Sequence, residues 1–260
     1  MTVRIDRTLR RAVLGDEALA VGALLACEPG HEALGRPNAQ AARAALQAAG
    51  ALEDGRPIGW LQDLLEVVAR PDSRARVEVR TAAELVVTAV AWGVGERGVL
   101  GLLADGGTEL SALDPIHLPW VIAREVGLRP YPEPALTEAV TLTLEQIASI
   151  QRLLDQDDEE GACAVVDGAG GASAVALLRD RNFSWRVTVT TTGADGEATT
   201  RSVAALDGGP HGLFLTEAVA AGDGPPAVRL NPADAESGVA ALLALFEVAT
   251  AEPVAAGRAS

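Results

Sequence analysis

Apolar positions recur at helical spacing in the first third of the chain. Residues 38–49 read as one helix, with Pro37 and Asn38 at its opening and Gly50 at its end. A second helix runs from Ile58 to Ala69, where Trp60, Leu61, Leu64, Leu65 and Val68 return every three or four positions. Arg70-Pro71-Asp72 ends it. The period then falls to two. Val77, Val79 and Thr81 alternate with Arg76, Glu78 and Arg80, which gives a strand with one dry face. Leu85 to Trp92 and Val99 to Ala104 read as further strands, each followed by a turn. Asp114 as cap and Pro115 at the first helical position open a helix that carries Trp120, Val121 and Val126 and stops at Gly127. Pro130, Pro132 and Pro134 then form a stiff connector.

The same order returns. Leu144 to Asp155 is helical, with Ile147, Ile150, Leu153 and Leu154 on one side. The acidic run Asp155 to Glu160 follows, then an apolar segment from Ala162 to Val166 and a helix over Ala172 to Leu178. Trp185, Val187 and Val189 alternate with Arg186, Thr188 and Thr190. Strands are expected again at Thr199 to Leu206 and Leu213 to Val219, with Asn231-Pro232 opening a closing helix. Each half thus reads as helices, three strands and a helix, and RVEVRT (Arg76 to Thr81) answers RVTVTT (Arg186 to Thr191). This predicts an internal duplication. The expected fold class is α+β: pseudo-two-fold duplicated halves, residues 1–132 and 133–260, in one compact unit with an antiparallel sheet covered by helices.

Composition narrows the function. The chain has 260 residues and is 48% apolar and 22% charged, a globular profile. It contains 50 alanines and no lysine, so all 21 cationic side chains are arginine. A Walker A phosphate loop and Schiff-base chemistry both require lysine and are excluded. The net charge of −15 opposes nucleic acid, whose binders draw affinity from basic side chains, and anionic membrane surfaces as well. Only Cys27 and Cys163 are present, too few for a four-cysteine zinc site. Near the N-terminus, Leu24 to Cys27 read LLAC after a basic opening, as in a lipoprotein signal. Asp16 and Glu17 interrupt the apolar region such a signal needs, so an amphipathic helix or extended lead-in in a cytoplasmic protein is expected. No stretch is apolar enough to span a membrane.

Candidate chemistry is sparse. Gly93 to Gly98 read GVGERG, a GxGxxG string, but VLGLLADGG follows where a dinucleotide site needs a helix, so a hairpin is expected. DGAGGAS (Asp167 to Ser173) reads as a plain loop. His31, His117 and His211 show no paired spacing. The run of Asp155, Asp157, Asp158, Glu159 and Glu160 lacks the pattern of a calcium loop and reads as a solvated helix end. No catalytic residue, cofactor or metal site is expected. The polar face opposite Val187 and Val189 can instead dock a partner helix or strand.

The C-terminal third resembles the EspG family of type VII (ESX) secretion chaperones. The resemblance rests on LDGGPHGLFLTE (Leu206 to Glu217) and VRLNPADAESGVAALLALF (Val228 to Phe246), an Asp-containing turn into a strand and then a leucine-rich helix. Leu213 and Phe214 stand where that family usually has Arg and Tyr. The resemblance implies a non-catalytic, cofactor-free cytoplasmic chaperone. Its partners would be helical secreted proteins of the PE–PPE kind, kept soluble and marked for export. It places the docking surface on Thr188, Thr190 and Thr192, on the adjacent strand at Phe214 and Thr216, and on the loop from Gly193 through Asp195 to Glu197. The competing reading is an enzyme or small-molecule binder using a cleft between the halves, with His117 or His211.

Overall fold

The structure is a computed structural model, and it describes residues 1–81, 84–132, 137–166, 171–193, 195–219 and 225–250. Pro134 and the residues 167–170 and 220–224 of two expected loops lie outside that set. In chain order, β1 (Val3–Asp6) and β2 (Arg11–Leu14) precede helices α1 (Asp16–Cys27) and α2 (Pro37–Ala48). The short pair β3 (Leu52–Glu53) and β4 (Arg56–Pro57) leads to α3 (Gly59–Ala69). Strands β5 (Ser73–Arg80), β6 (Leu85–Val94), β7 (Arg97–Ala104) and β8 (Gly107–Leu113) follow, then α4 (Leu118–Glu125). The second stretch runs β9 (Val140–Thr143), α5 (Leu144–Leu154), α6 (Glu159–Ala164), α7 (Gly171–Asp180), β10 (Phe183–Thr192), β11 (Ala198–Asp207), β12 (Leu213–Val219), β13 (Ala227–Ala233) and α8 (Ala235–Thr250).

Eleven strands hydrogen-bond in the order β1-β2-β8-β7-β6-β5-β10-β11-β12-β13-β9, and β3 pairs with β4 apart from them. The expected α+β class holds. Each stretch carries four consecutive strands where three were expected. Gly107 begins β8 instead of extending the turn before it. Asn231-Pro232 lies inside β13, not at a helix start; Pro232 stands opposite Phe214 of β12, and pairing with β9 stops at Leu230. The missing proline N–H therefore costs no ladder bond on the β9 side. The closing helix begins three residues later, where the Asp234 carboxylate accepts the Ser237 N–H at 2.7 Å. The expected GxGxxG hairpin is present: Gly93 pairs with Gly98 and Val94 with Arg97.

The chain divides into two compact units. The first comprises residues 1–77, 87–122 and 188–201. Its core joins Leu25 of α1, Leu46 of α2 and Leu61 and Leu65 of α3 to Leu14 of β2 and Leu110 of β8. α1 and α3 approach closely because Gly22 has no side chain; a Cβ there would meet Leu65 Cδ1 at 3.0 Å. The LLAC segment forms the last turn of α1, with Leu25 and Ala26 in this core. The basic opening before it is the β1–β2 hairpin.

The second unit comprises residues 78–86, 123–187 and 202–260. Ile150 of α5, Ala174, Val175 and Leu177 of α7 and Leu142 of β9 pack with Leu206, Phe214 and Leu230 of the strands. α5 opens with a capping box, Thr143 Oγ1 accepting the Gln146 N–H and Gln146 Oε1 accepting the Thr143 N–H. The acidic run ends one helix and starts another, with Asp158 capping α6 through the Gly161 N–H. Among the described residues, no helix is long and apolar enough to cross a membrane.

Candidate functional site

Strand β10 places the expected docking residues. Trp185, Val187 and Val189 are buried, while Arg186 is exposed, Thr188 and Thr190 are half-buried and Thr192 is exposed. This is period-two alternation with one dry and one accessible face. Within the first unit, the Thr192 N–H donates to the Asp72 carbonyl at 2.8 Å, joining the end of β10 to the start of β5. Counting antiparallel from that bond sets Arg74 opposite Thr190 and Arg76 opposite Thr188. Thr190 and Thr200 of β11 share a hydroxyl hydrogen bond of 3.1 Å. The accessible face is therefore a mosaic of threonine and arginine, short of apolar side chains.

The β10–β11 turn is built by Gly193, whose N–H donates to the Glu197 carbonyl at 2.8 Å, and by Asp195, whose carboxylate accepts the Glu197 N–H at 3.0 Å. Gly196 adopts φ +83°, a region that favours glycine. Gly193 and Asp195 are exposed. The remaining two expected residues behave differently. Phe214 is fully buried in the core of the second unit, opposite Leu206, so it packs the fold and presents nothing to a partner. The alternation explains this: Phe214 and Leu206 are directly opposed and share the dry face. Thr216, opposite Ala204 and Leu230, is half-buried.

Sequence reading missed a polar centre in the second unit. Asp207 is the one fully buried charged residue among those described. One carboxylate oxygen accepts from Arg129 Nη2 at 3.3 Å and the Tyr131 hydroxyl at 3.1 Å. The other accepts from Asn182 Nδ2 at 3.1 Å and the Gly209 N–H at 2.8 Å. Four donors offset the desolvation of one carboxylate. Tyr131 is pushed far above the ordinary tyrosine range, by burial first and then by the Asp207 charge and hydrogen bond, while Arg129, stacked 5.6 Å from its ring centre, opposes the shift. Asp207 opens the turn that carries the DGGPHG text. His211 at the far end of that turn shares a 2.9 Å hydrogen bond with Asp180. Asp180 also takes two bonds from Arg179, and these bonds, then that from His211, hold its carboxyl well below the usual range. Gly208 sits against Leu177, which a Cβ would strike.

The other histidines have local roles or none. His31 Nδ1 accepts the Ala33 N–H and caps a short turn, and His117 is exposed after Asp114-Pro115. A depression of about 570 Å³ beside α2 is lined by Leu34, Gly35, Gln40, Arg43, Ala44 and Gln47, with no nucleophile or acid–base pair. Among the described residues, no group of three or more His, Cys, Asp or Glu is placed to hold a metal ion.

The profile of the EspG family matches residues 28–243 of this sequence. The chain belongs to the EspG family. Among solved structures, this EspG protein is similar to the type VII secretion system chaperone EspG5 of Mycobacterium tuberculosis, determined in complex with a PE25–PPE41 dimer. The TM-score is 0.60 at 13% identity, over 91% of this chain and 96% of that one, which establishes a shared fold. No curated protein matches the sequence. The family match spans the β10 face and the Asp207 turn of this EspG protein.

Proposed function

We propose that this EspG protein is a non-catalytic cytoplasmic chaperone for helical type VII secretion substrates of the PE–PPE kind. The observation that carries the reading is the family match over residues 28–243, supported by the fold shared with a chaperone whose structure includes such a dimer. The mechanism is shielding. An exposed apolar tip on a secreted helical pair drives aggregation, and a folded cover bound to it keeps the free pair soluble until transfer. The accessible β10 face, through Thr188, Thr190 and Thr192, with Gly193 and Asp195 of the turn, provides the docking surface. Threonine hydroxyls and methyls suit a helix tip that mixes exposed carbonyls with apolar side chains. The net charge of −15 discriminates against acidic competitors and nucleic acid.

Co-expression tests the reading. PE–PPE pairs encoded in the same genome are produced with and without this chain, and their soluble fraction is measured. At least one pair gains solubility and co-purifies with the chaperone. A full set of pairs whose solubility is unchanged and which never co-purifies rejects the proposal.

A further inference from the structure

The β1–β2 hairpin concentrates positive charge in an acidic chain. Residues 4–11, RIDRTLRR, hold four arginines and one carboxylate, whereas the whole chain has 36 carboxylates against 21 arginines. Arg4, Arg7, Arg10 and Arg11 are all exposed. The one acidic side chain is committed to the turn: Asp6 Oδ1 accepts the Thr8 and Leu9 N–H groups, each at 2.9 Å. Arg4 and Arg7 donate to backbone carbonyls, those of Asp105 at 3.3 Å and Gly50 at 2.8 Å. These bonds restrain the two guanidinium groups without neutralising them, which lowers the ordering cost of binding. Among the described residues, Arg11 alone of the four has a carboxylate partner, Glu109 at 3.1 Å. Leu9 stands at the tip between Arg7 and Arg10 and is 62% exposed. A depression of about 270 Å³ has Arg4, Leu9, Arg11, Val13 and the paired Glu109 in its lining.

We infer that this hairpin docks an Asp- and Glu-rich segment of a partner protein, with an apolar residue among its carboxylates. Guanidinium groups take carboxylates through paired N–H···O bonds, and Arg4, Arg7 and Arg10 have none to take within the described residues. Leu9 supplies an apolar contact beside them. Charge decides against the larger polyanions. Nucleic acid or an anionic membrane extends over the rest of a chain whose net charge is −15 and is repelled by it. A short segment feels only the charges within a screening length, about 10 Å at 0.1 M salt, and there arginine dominates. β1 is the first strand of the sheet order and five strands separate it from β10. The hairpin is therefore a second surface, distinct from the proposed cargo face, and both can be occupied at once.

The test titrates the full chain into a dye-labelled peptide of glutamates flanking one leucine and reads fluorescence anisotropy. The expected result is saturable binding with a Kd of about 50 µM in low salt, weakened at least about ten-fold at about 0.5 M salt. The same peptide with glutamine for glutamate does not bind. Arg10 makes no hydrogen bond or ion pair among the described residues, so Arg10→Glu weakens binding about ten-fold and leaves the Tm unchanged. Leu9→Ser weakens it about five-fold. Arg152→Glu, an exposed arginine of α5, leaves it unchanged. Phosphatidylserine vesicles do not displace the peptide. The Leu9 variant and the glutamine peptide keep the test sound should Arg10→Glu disturb the turn. Failure to saturate, equal affinity for the glutamine peptide, an equal loss with Arg152→Glu, or displacement by the vesicles overturns the inference.

Discussion

Asp207 shows how one residue can organise a turn. Its carboxylate is buried and accepts four hydrogen bonds, from Arg129, Tyr131, Asn182 and the Gly209 N–H. Its ion pair with Arg129 adds little, because the arginine side chain is 57% exposed and solvent screens it. The weight lies on Tyr131, Asn182 and the Gly209 N–H. Asp207→Ala leaves these donors unpaired, and the expected loss is about 3 kcal/mol, seen as a lower urea midpoint with little change in slope. Asp180 acts on the same turn through His211, with Arg179 and Glu159 completing the charged group around it. Its folded-state pKa is depressed below the unfolded value. Its contribution is therefore complete above the ordinary Asp value near 3.9 and is lost as pH falls towards the folded value. Acid unfolding followed from pH 6 to 2 should show a fall in stability below about pH 4 that Asp180→Asn flattens. An identical slope in the variant contradicts this role.

At the scale of elements, legibility followed the strength of the period. α3, α5 and β10 were readable because each repeats an apolar position over several turns or pleats, and tertiary packing then uses that same stripe. β9 and β13 were not. β9 is four residues long, too short to display a period, and its sequence runs directly into the capping box of α5. β13 hides behind Asn231-Pro232, a pair that signals a helix start locally but is tolerated where a neighbouring strand has ended. The site divided in the same way. The threonine face of β10 could be read from alternation alone. Asp207 could not be singled out, because Arg129 and Tyr131 stand 78 and 76 residues away and only the fold brings them together. Phe214 was misplaced on the docking surface because position on a strand adjacent to the site does not say which face a side chain takes.

At the scale of the whole molecule, an acidic, lysine-free chain presents a polar sheet face and a well-anchored turn. The proposed chaperone role makes one claim that can be tested directly, that a PE–PPE pair binds this chain. The most direct test mixes the purified chain with a purified PE–PPE pair from the same genome and measures the mass of the product by light scattering. The account predicts a complex of one chaperone chain per heterodimer, which Thr192→Arg, at an exposed position of the same face, abolishes without altering the chaperone's own thermal unfolding. Separate masses for every pair, or a complex unaffected by that substitution, would contradict it.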